Sequence, residues 1–256
     1  MNGISYRLDE FIKKVDRRCL MVDASAGLAL GALSGLEDFT AGVRPLLGLV
    51  DGLVCSPGQM RRLADLQRGE AALLVRVDWT NTLRGTDFVL PPEKAKRLPI
   101  LPPDDARDLG ATGMVITFLL GYEEEVEAEC LRNTVQWAVR GKQVGLPLVV
   151  EVRPTGPRVS LPGKAVELGA SYALEGGADV IVLPYPGKRS LETIAEFVSV
   201  PWLVRPTSLE NAPSELEEAL ACEATGLWLD HSIFATPNPA AALSEFKLRV
   251  HQLTAV

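Results

Sequence analysis

Charged and hydrogen-bonding side chains follow several apolar segments of this chain, at or just beyond the point where each segment ends. Arginine binds carboxylate or phosphate through two parallel hydrogen bonds, whereas Asp, Glu and His can transfer protons or ligate a metal. Burying such charges singly is costly, so their repeated placement predicts mutual ion pairing or a bound ligand. The residues concerned are Asp23, Arg76, Asp78, Glu151, Arg153, Arg205, Thr207, Asp230 and His231.

This set of residues has two interpretations. In one, the charges are internal salt bridges that hold one end of the fold together. In the other, they form an anion-binding active site that also carries proton-transfer groups. The second interpretation assigns catalytic roles to Asp23, Glu151 and His231, and substrate binding to Arg76, Asp78, Arg153, Arg205, Thr207 and Asp230.

The two histidines receive different predictions. His231 follows an acid at the end of an apolar segment, where it can act as a general base or serve as a hydrogen-bonded structural group. His251 lies in the final helical segment, where we expect a surface role.

Metal and cofactor chemistry is weakly indicated. Carboxylates of Asp23, Asp78 and Glu151 would suit Mg²⁺ if their segments end close together, but no ligand spacing demands a metal, so we expect no cofactor. The cysteines form no C-x-x-C pair and are interpreted as reduced structural thiols. They are Cys19, Cys55, Cys130 and Cys222.

The elements that position these residues are eight apolar runs bounded by Gly or Pro. Such continuous runs are typical of strands buried on both faces, as in a parallel sheet with helical crossovers. The predicted strands are Cys19–Asp23, Leu53–Cys55, Ala72–Asp78, Met114–Leu120, Leu148–Val152, Val180–Leu183, Trp202–Arg205 and Leu227–Asp230. Helical spacing between them predicts helices that include Tyr122–Val144, Pro162–Glu175, Leu191–Val198 and Ser214–Glu223.

Eight strand-helix units in 256 residues predict an α/β fold, the (β/α)8 TIM barrel, with Tyr6–Val15 as an extra N-terminal helix over one end. A doubly wound open sheet is the structural alternative. No Gly-x-Gly-x-x-Gly follows the first predicted strand, so dinucleotide binding is not indicated. In a barrel, the loops after the strand ends build the active site, so the residues named above would meet there.

Composition predicts a single domain over residues 1–256, with 47% hydrophobic and 23% charged residues. The net charge of −7 disfavours a nucleic-acid or anionic-membrane surface, although a local cationic pocket is compatible with it. We expect a cytoplasmic protein, since the first 18 residues are charged and amphipathic and no run approaches a membrane span.

Several segments resemble one enzyme family over nearly the whole chain. Met21-Val-Asp-Ala-Ser-Ala-Gly27 resembles the first strand of the DeoC/LacD/DhnA-type class I aldolases, which include archaeal-type class I fructose-bisphosphate aldolase. Leu109–Thr117 resembles the fourth strand of that family, and Gly177–Gly187 resembles the strand that carries its Schiff-base lysine. The resemblance implies an aldolase barrel, a homo-oligomer and a catalytic acid at Asp23.

The chain differs from the family at the positions of its catalytic and phosphate-binding residues. The lysine position is Val182, and valine cannot form the iminium that serves as an electron sink. Glu151 and Arg153 stand where the family has a Trp and a catalytic Tyr. Pro206-Thr207 and Asp230-His231 replace its phosphate-binding Gly-Gly and Gly-Arg, so the usual phosphate site is expected to be lost.

Two other lysines were considered as replacements. Lys188 and Lys164 follow Pro-Gly pairs, and we interpret both as surface residues without a chemical role. The long segment Trp79–Pro99 would either close over the barrel mouth or pack against another subunit.

Three functions follow. The first is a divergent lyase on a small anionic carbonyl metabolite, phosphorylated or carboxylated, without Schiff-base chemistry. The second is a catalytically inactive homologue that binds a metabolite or partner as a regulatory or scaffold subunit. The third is a metal-assisted isomerase or lyase. The charged strand ends favour an enzyme.

Overall fold

The computed structural model describes residues 3–63 and 71–252. Eight parallel strands close into a barrel, in the order β1-β2-β3-β6-β7-β8-β9-β10 with β10 pairing back to β1. These strands are β1 (Cys19–Asp23), β2 (Gly52–Cys55), β3 (Ala72–Arg76), β6 (Gly113–Leu119), β7 (Leu148–Arg153), β8 (Val180–Pro184), β9 (Trp202–Arg205) and β10 (Gly226–Leu229). The predicted TIM barrel is confirmed, and the doubly wound alternative is wrong.

Helices alternate with the barrel strands and cover their outer face. They are α1 (Gly3–Phe11), α2 (Gly27–Leu30), α3 (Phe39–Val43), α4 (Pro57–Leu63), α5 (Pro103–Asp108), α6 (Glu124–Val144), α7 (Pro162–Glu175), α8 (Lys188–Phe197), α9 (Ala212–Ala221) and α10 (Pro239–Gln252). Short 3-10 helices span Arg44–Leu49 and His231–Ala235. No helix in the described ranges is long and apolar enough to cross a membrane.

The predicted third strand is in fact two strands. The barrel strand β3 ends at Arg76, and the chain then forms β4 (Asp78–Thr80), which pairs antiparallel with β5 (Arg97–Pro99). This hairpin lies within the segment that was expected to cover the barrel mouth. The prediction failed locally because an apolar run does not reveal which strand its residues pair with.

The extra N-terminal helix is confirmed, although α1 begins three residues before its predicted start and ends earlier. Phe11 and Ile12 are buried in the apolar cluster that fills the barrel interior. The cluster includes Cys19, Ala72 and Val180, which lie at or near the starts of their strands. This end of the chain therefore closes the bottom of the barrel, opposite the strand C-termini.

His251 is not a surface residue, as the sequence had suggested. Its Nδ1 lies 2.6 Å from Oδ2 of Asp16, and its Nε2 lies 2.8 Å from Oδ2 of Asp51. Asp51 also accepts a hydrogen bond from the backbone N–H of Leu20. The imidazole therefore ties α10 to the bottom of the barrel, a contact between residues more than 190 positions apart in the chain.

Candidate anion-binding site at the barrel mouth

The alternation of side chains along the strands determines which residues point into the barrel. Met21, Leu74, Val149 and Leu203 belong to the interior cluster. Side chains repeat every second residue in a strand, so the residues two positions further along also face inward, nearer the strand C-termini. These residues are Asp23, Arg76, Glu151 and Arg205.

Arg76 occupies the centre of this inner layer. Its Nε donates to Oγ of Ser25 at 3.1 Å, and its Nη1 donates to Oγ1 of Thr117 at 3.1 Å. Its Nη2 donates to Oδ2 of Asp23 and lies 2.9 Å from Oε2 of Glu151. Every nitrogen of this buried guanidinium thus has a partner in the protein, so Arg76 is a structural cation of the site.

Glu151 is the shared partner of three arginines. Besides Arg76, Nη2 of Arg153 lies 2.6 Å from its Oε1, and Nη1 of Arg205 donates to that same oxygen at 3.1 Å. The Glu151 side chain is 1% exposed, so its charge is almost fully desolvated. Three strands, β3, β7 and β9, are thereby joined through one carboxylate.

The electrostatics of the cluster follow from burial and proximity. Burial alone would raise the pKa of Glu151, but the three guanidinium groups, Arg153 most strongly, outweigh it and bring the pKa to about 2. Burial and the neighbouring Arg153 lower the pKa of Arg205 to about 10, with Glu151 opposing the change. Burial also lowers the pKa of Arg76, but the carboxylates of Asp23 and Glu151 outweigh burial and raise this pKa above its ordinary value.

Arg153 and Arg205 differ from Arg76 because most of their donors are uncommitted. Each side chain is 14% exposed, and each makes one carboxylate contact, to Glu151, among the described residues. A guanidinium carries five N–H donors in a planar fork. The two forks therefore retain hydrogen-bonding capacity at the barrel mouth, in the geometry that suits carboxylate or phosphate.

Asp78 lies in the cavity wall but serves the hairpin. Its Oδ2 accepts hydrogen bonds from Nε of Arg97 and from the backbone N–H of Thr117, both at 2.7 Å. Both side chains of this ion pair are nearly fully buried. Asp78 therefore fastens β4 and β5 to the barrel, and its predicted role in substrate binding stays a prediction.

Thr207, Asp230 and His231 lie on the loops after β9 and β10. The side chain and backbone N–H of Thr207 both donate to the carboxylate of Glu215. Asp230 accepts from the backbone N–H of Ser232 at 2.9 Å and so caps the 3-10 helix that follows. His231 lines the central cavity.

A central cavity of about 70 Å³ lies over the arginine cluster. Its roof contains Leu28 and Trp79, whose indole Nε1 donates to the carbonyl of Leu28 at 3.0 Å. Arg84, whose Nε donates to the carbonyl of Ala29, lies against the rings of Trp79 and Phe88. The segment from Trp79 to Phe88 therefore lies over the mouth, and its hydrogen bonds hold α2, the short helix after β1.

A second depression, of about 420 Å³, opens beside the cavity along the loops after β9 and β10. Asp230 lines both spaces. The residues around this groove are Arg205, Pro206, Thr207, Ser208, Leu209, Leu229, Asp230 and Ser232. Ligand pockets usually have about 300–1,000 Å³, so the groove has room for part of a metabolite while the cavity holds only a small group.

The described part of the mouth carries neither a lysine nor a cluster of metal ligands. None of the residues lining the cavity is a lysine, and Lys164 and Lys188 lie on exposed surface, as predicted. In the described ranges, no group of three or more His, Cys, Asp or Glu side chains is arranged to hold a metal ion. The magnesium site considered for Asp23, Asp78 and Glu151 is not formed, because arginines hold all three carboxylates.

Sequence reasoning missed three residues of the mouth. Thr117 interrupts an apolar run with a hydroxyl, and Ser25 follows Asp23 by two positions. Both signals could have been noticed, since a polar residue near the end of a buried strand needs a partner. Glu215 lies in the first turn of α9 and gives no comparable signal, because acidic residues are common there.

Comparison with known proteins links this geometry to one group of enzymes. No family model matches the chain. The 3-hydroxy-5-phosphonooxypentane-2,4-dione thiolase of Salmonella typhimurium is 24% identical over 252 residues, which cover 97% of this chain and 82% of the relative. The 2-amino-3,7-dideoxy-D-threo-hept-6-ulosonate synthase of Halobacterium salinarum is 24% identical over 243 residues, covering 92% and 88%.

The fold resembles that of a solved aldolase. An archaeal fructose-1,6-bisphosphate aldolase, whose catalytic Lys is covalently bound to the carbinolamine intermediate of its substrate, superimposes with a TM-score of 0.80 at 17% identity, covering 98% of this chain and all of that one. The chain is therefore related to the class I aldolases of the DeoC/LacD/DhnA type.

Proposed function

We propose that this protein is a divergent lyase that acts on a small anionic carbonyl metabolite without a Schiff-base lysine. One observation carries the proposal. Arg153 and Arg205 are mostly buried at the barrel mouth, share one oxygen of Glu151, and keep most of their donors uncommitted. Arg153 lines the cavity and Arg205 lines the groove, so their remaining donors are open to a ligand, whereas every nitrogen of Arg76 is bonded within the protein.

The charge of the cluster supports a bound anion. In direct ion pairs, the guanidinium groups of Arg76, Arg153 and Arg205 share only the carboxylates of Asp23 and Glu151, and Asp230 acts on Arg205 without a direct ion pair. A substrate anion would give Arg153 and Arg205 the direct carboxylate or phosphate partner that their free donors can bind.

Val182 supports the absence of Schiff-base chemistry. It lies in the barrel interior, on β8, paired in register with Glu151 on β7 and Leu203 on β9. All eight lysines of the chain belong to the described residues, and each is at least partly exposed. A desolvated amine of the kind that forms an imine is thus not available at the mouth.

The remaining groups suggest how a lyase could work here. Cleavage between the α- and β-carbons of a β-hydroxy carbonyl compound gives up the hydroxyl proton to a base, releases an aldehyde and leaves an enolate, whose charge a guanidinium can stabilise. A proton must then reach carbon, and His231 lines the cavity with the side chain best suited to proton transfer near neutral pH. Glu151 is too weak a base for that role with its pKa about 2, so we assign it the holding of the arginines.

The second candidate is a catalytically inactive homologue that binds a metabolite or partner. The cavity of about 70 Å³ under a hydrogen-bonded roof favours it, because a whole metabolite does not fit there unless the roof moves. The metal-assisted alternative has no comparable support, since the carboxylates it needs are engaged by arginines.

The test is a thermal-shift screen against keto acids, dicarboxylates and phosphorylated sugars, each with magnesium or with EDTA. A bound ligand at a hundredfold excess over Kd stabilises the fold by about 2.7 kcal/mol, which shifts melting by several degrees. We expect a hit that Arg153→Gln abolishes and that Arg132→Gln, at an exposed arginine of α6, leaves intact.

Turnover of that hit, followed by product analysis, separates the candidates. Carbon–carbon cleavage that borohydride does not trap on the protein supports the proposed lyase, and trapping on any lysine would overturn it. Binding without turnover moves the assignment to the inactive homologue, and dependence on magnesium moves it to the metal-assisted enzyme.

We also propose a cytoplasmic homo-oligomer. Leu131, Val135 and Val139 form an exposed apolar stripe along α6 with one helical turn between neighbours. The first turns of α6 are acidic and its end is basic, so two copies packed antiparallel would pair opposite charges. Light scattering should give a mass above 27.6 kDa that Val135→Glu reduces; an unchanged monomer in both would refute this.

A further inference from the structure

The groove after β9 and β10 occupies the place where TIM barrels frequently bind phosphate. These are the seventh and eighth barrel strands, and phosphate is held there by backbone N–H groups of the following loops. Whether this chain can bind phosphate there depends on whether those N–H groups are available.

Glu215 occupies the first set of donors. Its Oε2 accepts the backbone N–H of Thr207 at 2.7 Å, and its Oε1 accepts the Thr207 hydroxyl at 2.5 Å. Glu215, in the first turn of α9, is only 7% exposed, so its contacts with the loop are shielded from solvent. Pro206, the preceding residue, has no N–H to offer. A carboxylate of the protein thus already fills the position of an anion in the loop after β9.

The carboxylate of Asp230 likewise accepts a backbone N–H in the loop after β10. Its Oδ1 accepts the backbone N–H of Ser232 at 2.9 Å. The carboxylate is half-buried and lines both the groove and the cavity. A phosphate in the groove would therefore meet the negative charge of Asp230 and one cation, Arg205, while Glu215 holds the N–H of Thr207 from outside the groove.

The arginine cluster favours a singly charged ligand for an independent reason. Its three guanidinium groups face the carboxylates of Asp23 and Glu151 in direct ion pairs and that of Asp230 nearby, so each further negative charge on a ligand adds repulsion, and a carboxylate brings one where a phosphate brings two. A phosphate dianion would leave a net negative charge beside Asp230, and like charges in a site of low dielectric repel strongly.

We propose that the site selects a carboxylate substrate, bound by Arg153 and Arg205, and that Glu215 and Asp230 exclude phosphorylated substrates and leave the groove for an uncharged, hydroxylated end. This inference rests on the proposed function, because it specifies which anion the same site takes.

A matched pair of probes tests the selectivity. Glycerate and glycerol 3-phosphate share a hydroxylated three-carbon frame and differ in the anion. Calorimetric titration of the wild-type chain should give at least about tenfold tighter binding of glycerate. Arg205→Gln should weaken glycerate binding by about tenfold or more, and Arg132→Gln should leave it unchanged.

The excluding residue is tested by Asp230→Asn, which removes the charge and keeps the acceptor oxygen that caps Ser232. We expect it to tighten glycerol 3-phosphate binding about tenfold and glycerate binding by a smaller factor, because the dianion feels about twice the repulsion of the monoanion. Glu215→Gln should also tighten glycerol 3-phosphate binding. Its melting temperature must first show that the variant is folded.

The outcomes separate this inference from the proposed function. Glycerol 3-phosphate binding as tightly as glycerate, and weakening in Arg205→Gln, would overturn the selectivity and keep the anion site. An unchanged phosphate affinity in a folded Asp230→Asn would overturn the excluding role of Asp230. No binding of either probe to the wild-type chain would count against both the selectivity and the anion site.

Discussion

Arg205 on β9 reaches past β8 to Glu151 on β7, so that its Nη1 lies 3.1 Å from Oε1 of the glutamate. Val182 lies on the intervening strand β8, where it is paired in register with Glu151. An ion pair between non-adjacent strands therefore spans the part of the barrel where the aldolase resemblance implies a lysine. The consequences of this arrangement can be measured.

Removing the charge of Glu151 should destabilise the fold. Glu151→Gln leaves three buried guanidinium groups with only Asp23 as a carboxylate partner. Removing one partner of a buried ion pair lowers the free energy of unfolding by about 3–5 kcal/mol, so the melting temperature should fall by roughly 10 °C. Added sulfate should restore more stability to this variant than to the wild type, because it supplies the missing anion.

The control for this change is Glu129→Gln, which removes an exposed glutamate 3.8 Å from Arg132. Exposed pairs contribute about 0–1 kcal/mol, so this variant should melt near the wild-type temperature. Equal melting temperatures of Glu151→Gln and Glu129→Gln would contradict the structural role of Glu151.

Low pH should reduce the stability of the wild-type fold, because it protonates Glu151. The pKa of Glu151 is about 2 in the folded chain against an ordinary value of 4.5, so its ionised form is favoured by folding. This stabilisation, about 3 kcal/mol, is complete above pH 4.5 and is lost as the pH falls towards 2. Denaturant unfolding between pH 6 and 2 should show a shallower decline for Glu151→Gln; parallel declines would refute the assignment.

Restoring a lysine at Val182 should not restore an aldolase site. Lysine there would bury a fourth cation beside the three arginines. We expect Val182→Lys to be less stable than Val182→Met by about 4 kcal/mol or more, since the two side chains match in length and differ in charge. Equal stability of the two variants, by urea denaturation, would show that the mouth has room for an amine.

His251 should make stability depend on pH near neutrality. Its hydrogen bond to Asp51 is the main cause that raises the pKa of the imidazole above 6.5; burial opposes this, and Asp16 adds to it. Lys13, 3.5 Å from Asp51, is the other cation at this carboxylate. The stabilisation is therefore complete below pH 6.5 and is lost as the pH rises through the raised value.

The variant His251→Gln isolates this effect. At pH 6 it should be less stable than the wild type by about 1–2 kcal/mol, and the difference should shrink at pH 9. The measurement is the melting temperature of both proteins over that range. A difference that stays constant or grows with pH would contradict the charged contact with Asp51.

The strands of the barrel were predictable because their residues are buried on both faces. Apolar runs such as Val180–Leu183 mark strand positions without reference to the rest of the chain. The charged strand ends were predictable for the same reason, since Glu151 and Arg205 interrupt or close apolar runs. The pairing of Asp78 with Arg97 was not predictable from the sequence, because it depends on the antiparallel pairing of β4 with β5.

The eightfold alternation, the leading helix and the charged strand ends can be inferred from residue type and spacing, because burial leaves a local trace there. Which of those charges are paired and which are open to a ligand depends on how the strands come together. Arg76 and Arg205 are alike in the sequence, yet one is saturated and the other is not. That difference depends on distances between atoms of separate strands, which no local pattern records.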